Sequence, residues 1–410
     1  MKIRIKSKMT FNLQTLFFLL SLIVMLYFFL PVTASFLTAI IMLGILVVLY
    51  ITIFACSKWG KKEVVFDNIL MFLTMCIIFV AREFYKDGLI GLYSILLCFY
   101  PIFLSIFLIN RNMFQFMKKL ALSIMIMMLI TGITSFIGLS IYPELARDLA
   151  AFSNDNIIRI STMYNVGGYD FTYCVVISIP VFCLLAEKKL SPLAKRIMEI
   201  LFAVVSIMFV VKTQYTTALL LAIVSYGMIV IIRKFDLKRL CIIAVLGFLV
   251  LSGLKGEIEN GLSYMAMNIE SQSISQRLNE LSKTLEGKSV TGEDITERGN
   301  AYGKSIDAFV ENPILGTWVT SDNLKKLGGH STILDLMAGI GIIAFLFIIY
   351  TFYHIEKKML CNFKDDLTKK YVGIFLVIYL VLACINPIIS GTFFTVLFIV
   401  LPGVTMIENR

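Results

Sequence analysis

The chain has 410 residues, of which 59% are hydrophobic and only 16% charged; its mean hydropathy is +0.88. Soluble domains run nearer half apolar and about a quarter charged, so the composition argues against a water-soluble fold and for one solvated by lipid. The net charge of +10 does not indicate nucleic acid as a partner, because the basic residues cluster in short segments between apolar runs and form no binding stripe.

Apolar runs near the ~20 residues needed to span a bilayer occur at 11–32, 35–54, 65–81, 89–109, 120–139, 171–186, 196–212, 216–232, 239–254, 332–351, 371–386 and 391–407. Backbone groups in hydrocarbon must bond within their own segment, so these runs are predicted helices; the alternation of a membrane β-barrel is absent. The first run follows Lys2, Arg4, Lys6 and Lys8 and continues to Val32. That is too long for a signal-peptide core, so it is read as a retained helix. The expected fold is an all-α polytopic membrane protein with about twelve transmembrane helices. Residues 1–251 would hold helices one to nine, 252–331 a large extracytoplasmic loop, and 332–410 the last three helices.

Orientation follows from Lys and Arg. With the N-terminus inside, 24 of the 37 basic residues fall in the inner segments 1–10, 55–64, 110–119, 187–196, 233–239, 352–370 and 408–410. This asymmetry is the positive-inside pattern, and it puts both termini on the cytoplasmic side. The eight cysteines avoid the two long outer segments and form no CxxC pair. No disulfide framework or zinc site is expected, and two histidines are too few for an imidazole-rich metal centre.

The first long outer segment runs from Ser140 to Asp170 and the second from Ser252 to Ser331. In the second, Ile274, Leu278, Leu281 and Leu285 repeat at helical spacing, as do Tyr302, Ile306 and Phe309. Asn312-Pro313 stops the latter helix, and both helices read as amphipathic covers on the membrane surface. Gly328-Gly329-His330 then leads into the next span, delivering the outer histidine to the mouth of a helix, with Asp335 about one turn farther on. An ionisable residue in that place is costly and commonly functional. Asp170 opens another helix on the outer side, where an acid suits the helix dipole. Tyr164 to Phe171, with Gly167-Gly168, forms a tight loop-to-helix junction rich in aromatics.

Arg298, Tyr302, Asn312-Pro313-Ile314-Leu315-Gly316, His330-Ser331 and Gly339-Ile340-Gly341 occur in the order of a pattern found in the bacterial O-antigen ligase and polymerase (Wzy-like) superfamily. The segment of about 45 residues resembles that family, as does the placement of the largest outer loop before the third-last helix. One departure stands out. Many members carry a Ser-Arg pair after an outward-going helix, whereas this chain reads Val211-Lys212-Thr213-Gln214-Tyr215. Lys212 would supply a point charge there instead of a bidentate fork.

The resemblance implies the broad C-type glycosyltransferase architecture, a bacterial cytoplasmic-membrane location, and a donor glycan on undecaprenyl diphosphate. His330 would serve as the base that takes the proton of an acceptor hydroxyl. Arg298, Arg159 and Lys212 would hold the lipid pyrophosphate, with Asp335, Tyr302 and Asp170 in support. No metal or other cofactor is expected, since cationic side chains neutralise the phosphate. Partners would be the lipid-linked oligosaccharide donor and acceptor, membrane lipid, a flippase and a chain-length regulator, and no nucleic acid. The favoured expectation is a polysaccharide polymerase. A ligase that moves a finished glycan to another acceptor stays open, as does a flippase for lipid-linked oligosaccharide. The unlike halves of the chain argue against the repeated architecture common in transporters.

Overall fold

In the computed structural model every described element is a helix. The structure describes residues 2–57, 60–80, 89–151, 154–189, 191–234, 264, 293–318, 327–360 and 365–407, with the side chains of 2–12, 89–90, 151, 192, 233–234 and 293–298 left out. The helices are α1 (Lys2–Phe29), α2 (Ala39–Cys56), α3 (Lys62–Ile78), α4 (Leu89–Asn110), α5 (Phe114–Ile141), α6 (Leu145–Ala151), α7 (Asp155–Met163), α8 (Tyr169–Lys189), α9 (Pro192–Thr213), α10 (Thr216–Lys234), α11 (Glu293–Glu311), α12 (Thr332–Leu360) and α13 (Asp366–Ile385). The last, α14 (Gly391–Thr405), contains a π turn at Val396–Val400.

Six of these helices are long and apolar enough to cross a membrane: α2, α5, α8, α12, α13 and the Gly91–Asn110 part of α4. Shorter apolar helices cover Leu13–Phe29, Thr216–Ile232 and Gly391–Thr405. Helices also occupy the predicted runs at 65–81 and 196–212, as α3 and α9. The predicted run 239–254 and the amphipathic stretch Ile274 to Leu285 lie outside the described residues. The segment from Ser140 to Asp170 is itself largely helical, since α5 runs on to Ile141 and α6 and α7 follow.

Local chemistry sets the turns. Pro31 lacks an N–H and forces Leu30 into extended backbone, so α1 gives way to a short 3₁₀ turn. Asn112 (φ +56) and Gln214 (φ +58) take left-handed backbone and reverse the chain between α4 and α5 and between α9 and α10. Asp365 caps α13 by accepting the Leu367 N–H at 2.9 Å.

Helix α8 is central: Phe171 to Val181 are all buried, and it packs against α9, α10 and α13. All of α14 is buried as well. A Cβ on Gly403 would fall 2.5 Å from that of Ala121, so α14 lies close against α5. Outward faces are apolar instead of charged, with Ile40, Ile51, Ile137, Leu193 and Leu220 exposed. Such faces are costly in water and are solvated by lipid.

Two ends of the bundle are defined by their contacts. At one, the buried Lys188 donates to the carbonyls of Thr405 and Ile407 at 2.8 and 3.0 Å, and Lys195 pairs with Glu187 at 2.6 Å. His354 and Lys358 of α12 both bind the buried Asp67 of α3 at this end. At the opposite end lie the starts of α8 and α12 and the finish of α13.

Helix α12 is broken at Gly341, whose φ of 72° and ψ of 172° are non-helical. The break separates Ile342 N–H from the Ala338 carbonyl, its ordinary partner four residues back. The turn after α11 repairs the damage. Ile342 N–H donates to the Pro313 carbonyl at 2.9 Å, Thr317 N–H to Ala338 at 2.9 Å, and Trp318 N–H to Gly339 at 2.9 Å. Close approach requires glycine on both sides, because a Cβ at Gly341 would sit 2.3 Å from the Ile314 oxygen and one at Gly316 (φ +79) would sit 2.4 Å from Gly341 N. Gly341→Ala should therefore cost about 1–3 kcal/mol from backbone strain alone, read as a lower unfolding temperature in detergent. Gly373→Ala on α13, where nothing lies within 4 Å of the new Cβ, should leave stability unchanged or slightly raised.

Candidate functional site at the mouth of helix α12

Three segments meet around the start of α12. Helix α11 contributes Tyr302, whose hydroxyl donates to the Ile385 carbonyl at 2.9 Å, and the buried Ser305. The end of α13 contributes Asn386, whose carbonyl accepts from Thr332 N–H at 3.2 Å and from the Thr332 hydroxyl at 3.1 Å. That hydroxyl in turn accepts the Ile388 N–H at 2.7 Å. Thr332 thus closes the mouth of α12 against the turn that follows α13.

The Gly328–Ser331 turn lies between α11 and α12. Asp335 reaches back from α12, its Oδ1 accepting from the Ser305 hydroxyl at 2.6 Å and from Gly329 N–H at 3.3 Å, its Oδ2 from Ser331 N–H at 3.2 Å. Ser305 Oγ also accepts the Gly328 N–H at 2.9 Å. Ser331 is fully buried, and its Oγ accepts the Leu334 N–H at 3.2 Å to cap α12. His330 is exposed, and its imidazole makes no hydrogen bond among the described residues.

Of the predicted site residues, His330, Asp335 and Tyr302 come together here. The spacing of five residues keeps Asp335 off the imidazole; it binds the backbone on either side of His330 instead. Arg298 lies on α11 one turn before Tyr302, and its side chain is outside the described residues.

The remaining predicted residues lie on three other helices at the same end. Asp170 lies in the first turn of α8, Arg159 is exposed on α7, and Lys212 is exposed in the last turn of α9. Neither of these cations pairs with a carboxylate among the described residues. Next to Lys212, the Gln214 amide donates to Glu144 Oε1 at 3.1 Å, and the Tyr215 hydroxyl donates to the Ala146 carbonyl at 2.5 Å. Tyr169, Tyr173 and Tyr215 pack as a ring cluster with centroids 4.7–6.1 Å apart. Burial pushes the Tyr215 phenol above its usual range, with Tyr173 adding to the rise and the Arg147 charge opposing it.

The two sets of residues share one end because α8 and α13 run antiparallel. Tyr371, near the start of α13, bonds Glu187 near the finish of α8 at 3.3 Å, so Ile385 and Tyr169 lie at the other end. His354, more than six turns beyond the start of α12, stands near Asp67 and the Lys188 end. It is far from His330.

Sequence reasoning missed Ser305, Thr332 and Asn386. Asn386-Pro387 carries a signal, the same pair that ends α11 at Asn312-Pro313, but only as a helix stop. Asn386 is 3% exposed, and its Nδ2 has no hydrogen-bond partner among the described residues.

Fold and site together define an all-helical membrane protein with a histidine-bearing polar mouth at one end. No protein-family model and no curated protein matches the sequence.

The Thr332 bonds give a direct stability test. Thr332→Val leaves Ile388 N–H without its acceptor and should cost about 1–3 kcal/mol in thermal unfolding. Thr351→Val, which removes only a bond to its own helix, should cost less.

Proposed function

We propose that the protein is a polysaccharide polymerase, joining undecaprenyl-diphosphate-linked oligosaccharide repeat units at the outer face of the bacterial cytoplasmic membrane. The observation that carries the reading is His330, exposed on an anchored turn at the bundle end opposite the Lys188 and Lys358 end. The order of motif residues from Arg298 to Gly341 supports it, as does the resemblance of that stretch to the O-antigen polymerase and ligase superfamily. The clustering of basic segments at the Lys188 end supports a cytoplasmic place for that end, and the apolar runs of the sequence support about twelve spans.

In the reaction, the acceptor hydroxyl oxygen attacks the anomeric carbon of the donor sugar. The bond from that carbon to the pyrophosphate oxygen breaks, and its electron pair leaves with the lipid pyrophosphate. His330 takes the hydroxyl proton. Arg298, with Arg159 and Lys212, faces the charge that grows on the departing phosphate, which cationic donors stabilise strongly at a water-poor boundary. A resident metal has no assigned step in this scheme. The single displacement inverts the anomeric centre.

The test uses purified protein in lipid nanodiscs given lipid-pyrophosphate repeat units, with polymer followed by gel and mass spectrometry. Wild type should build polymer. His330→Ala should lower the rate about 10²–10⁴-fold, as loss of a general base does. Arg298→Ala should lower it about 10²–10³-fold, with Arg298→Lys intermediate because one point charge replaces the planar fork. Polymer made at the normal rate by folded His330→Ala protein would rule the reading out and favour transport.

A further inference from the structure

We propose that Ser305 and Asp335 are a positioning pair for His330, locking the Gly328–Ser331 turn onto α11 so that the imidazole stands at a fixed place over the mouth. This rests on the reading of His330 as the base that acts on the acceptor hydroxyl.

Ser305 is 1% exposed, and its hydroxyl is used in both directions, donating to Asp335 and accepting from Gly328 N–H. Asp335 then takes the N–H groups of Gly329 and Ser331. Three of the four backbone N–H groups of the turn are held by these two side chains, and bonds to a carboxylate are stronger than neutral ones. The turn lies directly on α11: a Cβ at Gly328 would fall 2.0 Å from the Ala301 carbonyl oxygen. Gly329 (φ +72) then turns the chain outward. His330 is thereby exposed between two anchored neighbours.

Simple helix capping does not account for the pattern. The cap of α12 is made by Ser331 Oγ on Leu334 N–H, with Asp335 Oδ2 reaching back to Ser331 N–H, whereas Asp335 Oδ1 goes to Gly329 N–H and to a side chain of another helix. The arrangement ties His330 to α11, the helix that carries Arg298. The proposed base and the proposed phosphate-binding residue then move as one body, which keeps attack and departure in register.

The experiment compares Ser305→Ala and the isosteric Asp335→Asn with wild type, full chain in nanodiscs. Hydrogen–deuterium exchange of the peptide spanning 327–334 should speed up about 10-fold or more in both variants. Exchange over 366–385 should stay unchanged, showing an intact bundle. In polymer assays kcat should fall about 100-fold, the scale of a misplaced reacting group, while KM for the lipid-linked donor stays within about threefold. A double mutant separates positioning from general damage. Ser305→Ala should add no further loss in a His330→Ala background, because residues that act through one group are non-additive. Unchanged exchange of the turn, or a fully additive loss in the double mutant, overturns the proposal. Retained polymer synthesis by His330→Ala would instead remove the functional reading, while the exchange data would still decide whether the brace exists.

Discussion

The architecture of the site depends on one broken helix whose freed backbone groups are paired again by another segment. At Gly341 the hydrogen-bond ladder of α12 is interrupted. Unpaired N–H and C=O groups at membrane depth cost several kcal/mol each, so the break persists only because Pro313, Thr317 and Trp318 supply the missing partners. The same contact fixes where α11 ends and where the first nine residues of α12 point. The portion after the break, Ile342 to Leu360, is about 28 Å long and alone nearly matches the hydrocarbon thickness of ~30 Å. The portion before it is thus available to build the mouth and not the span.

The two histidines, one on the turn that leads into α12 and one near its far end, have unlike surroundings. His354 is half-buried against Asp67, with Phe66 and Tyr350 against its ring, and it belongs to the network that joins α3 to α12. His330 stands exposed at the other end with its neighbours fixed. A shared residue type is therefore turned to packing in one place and left available in the other, and the cause is the element that meets each side chain.

Much of this was legible from residues 298 to 341. Asn312-Pro313 correctly marks the end of α11, and Leu315-Gly316 marks the turn. Gly339-Ile340-Gly341 stands out as a small-residue stretch. What spacing along one chain does not give is that Gly316 and Gly341 face each other, since that is a contact between two backbones. Asp335 illustrates the same limit. Its distance of five residues from His330 is unsuited to a direct side-chain contact, and the link through backbone N–H groups and Ser305 requires a third element, α11, to be in place. Ser305 itself has no sequence signal, being one hydroxyl among many. The apolar runs were the most readable feature because burial in lipid constrains every residue of a span, and eleven of the twelve fall on helices. The tyrosine cluster joins the start of α8 to the turn between α9 and α10, so its membership does not follow from local pattern.

The central claim is spatial: the acceptor hydroxyl meets His330 at the mouth of α12. Its most direct test is a cryo-electron microscopy structure of the protein in nanodiscs with a lipid-pyrophosphate-linked oligosaccharide bound. The account predicts a sugar hydroxyl within about 2.6–3.2 Å of the His330 imidazole, with the pyrophosphate at the same end of the bundle. Ligand density confined to the end where Lys188 binds the Thr405 carbonyl, with the mouth of α12 empty, would contradict it.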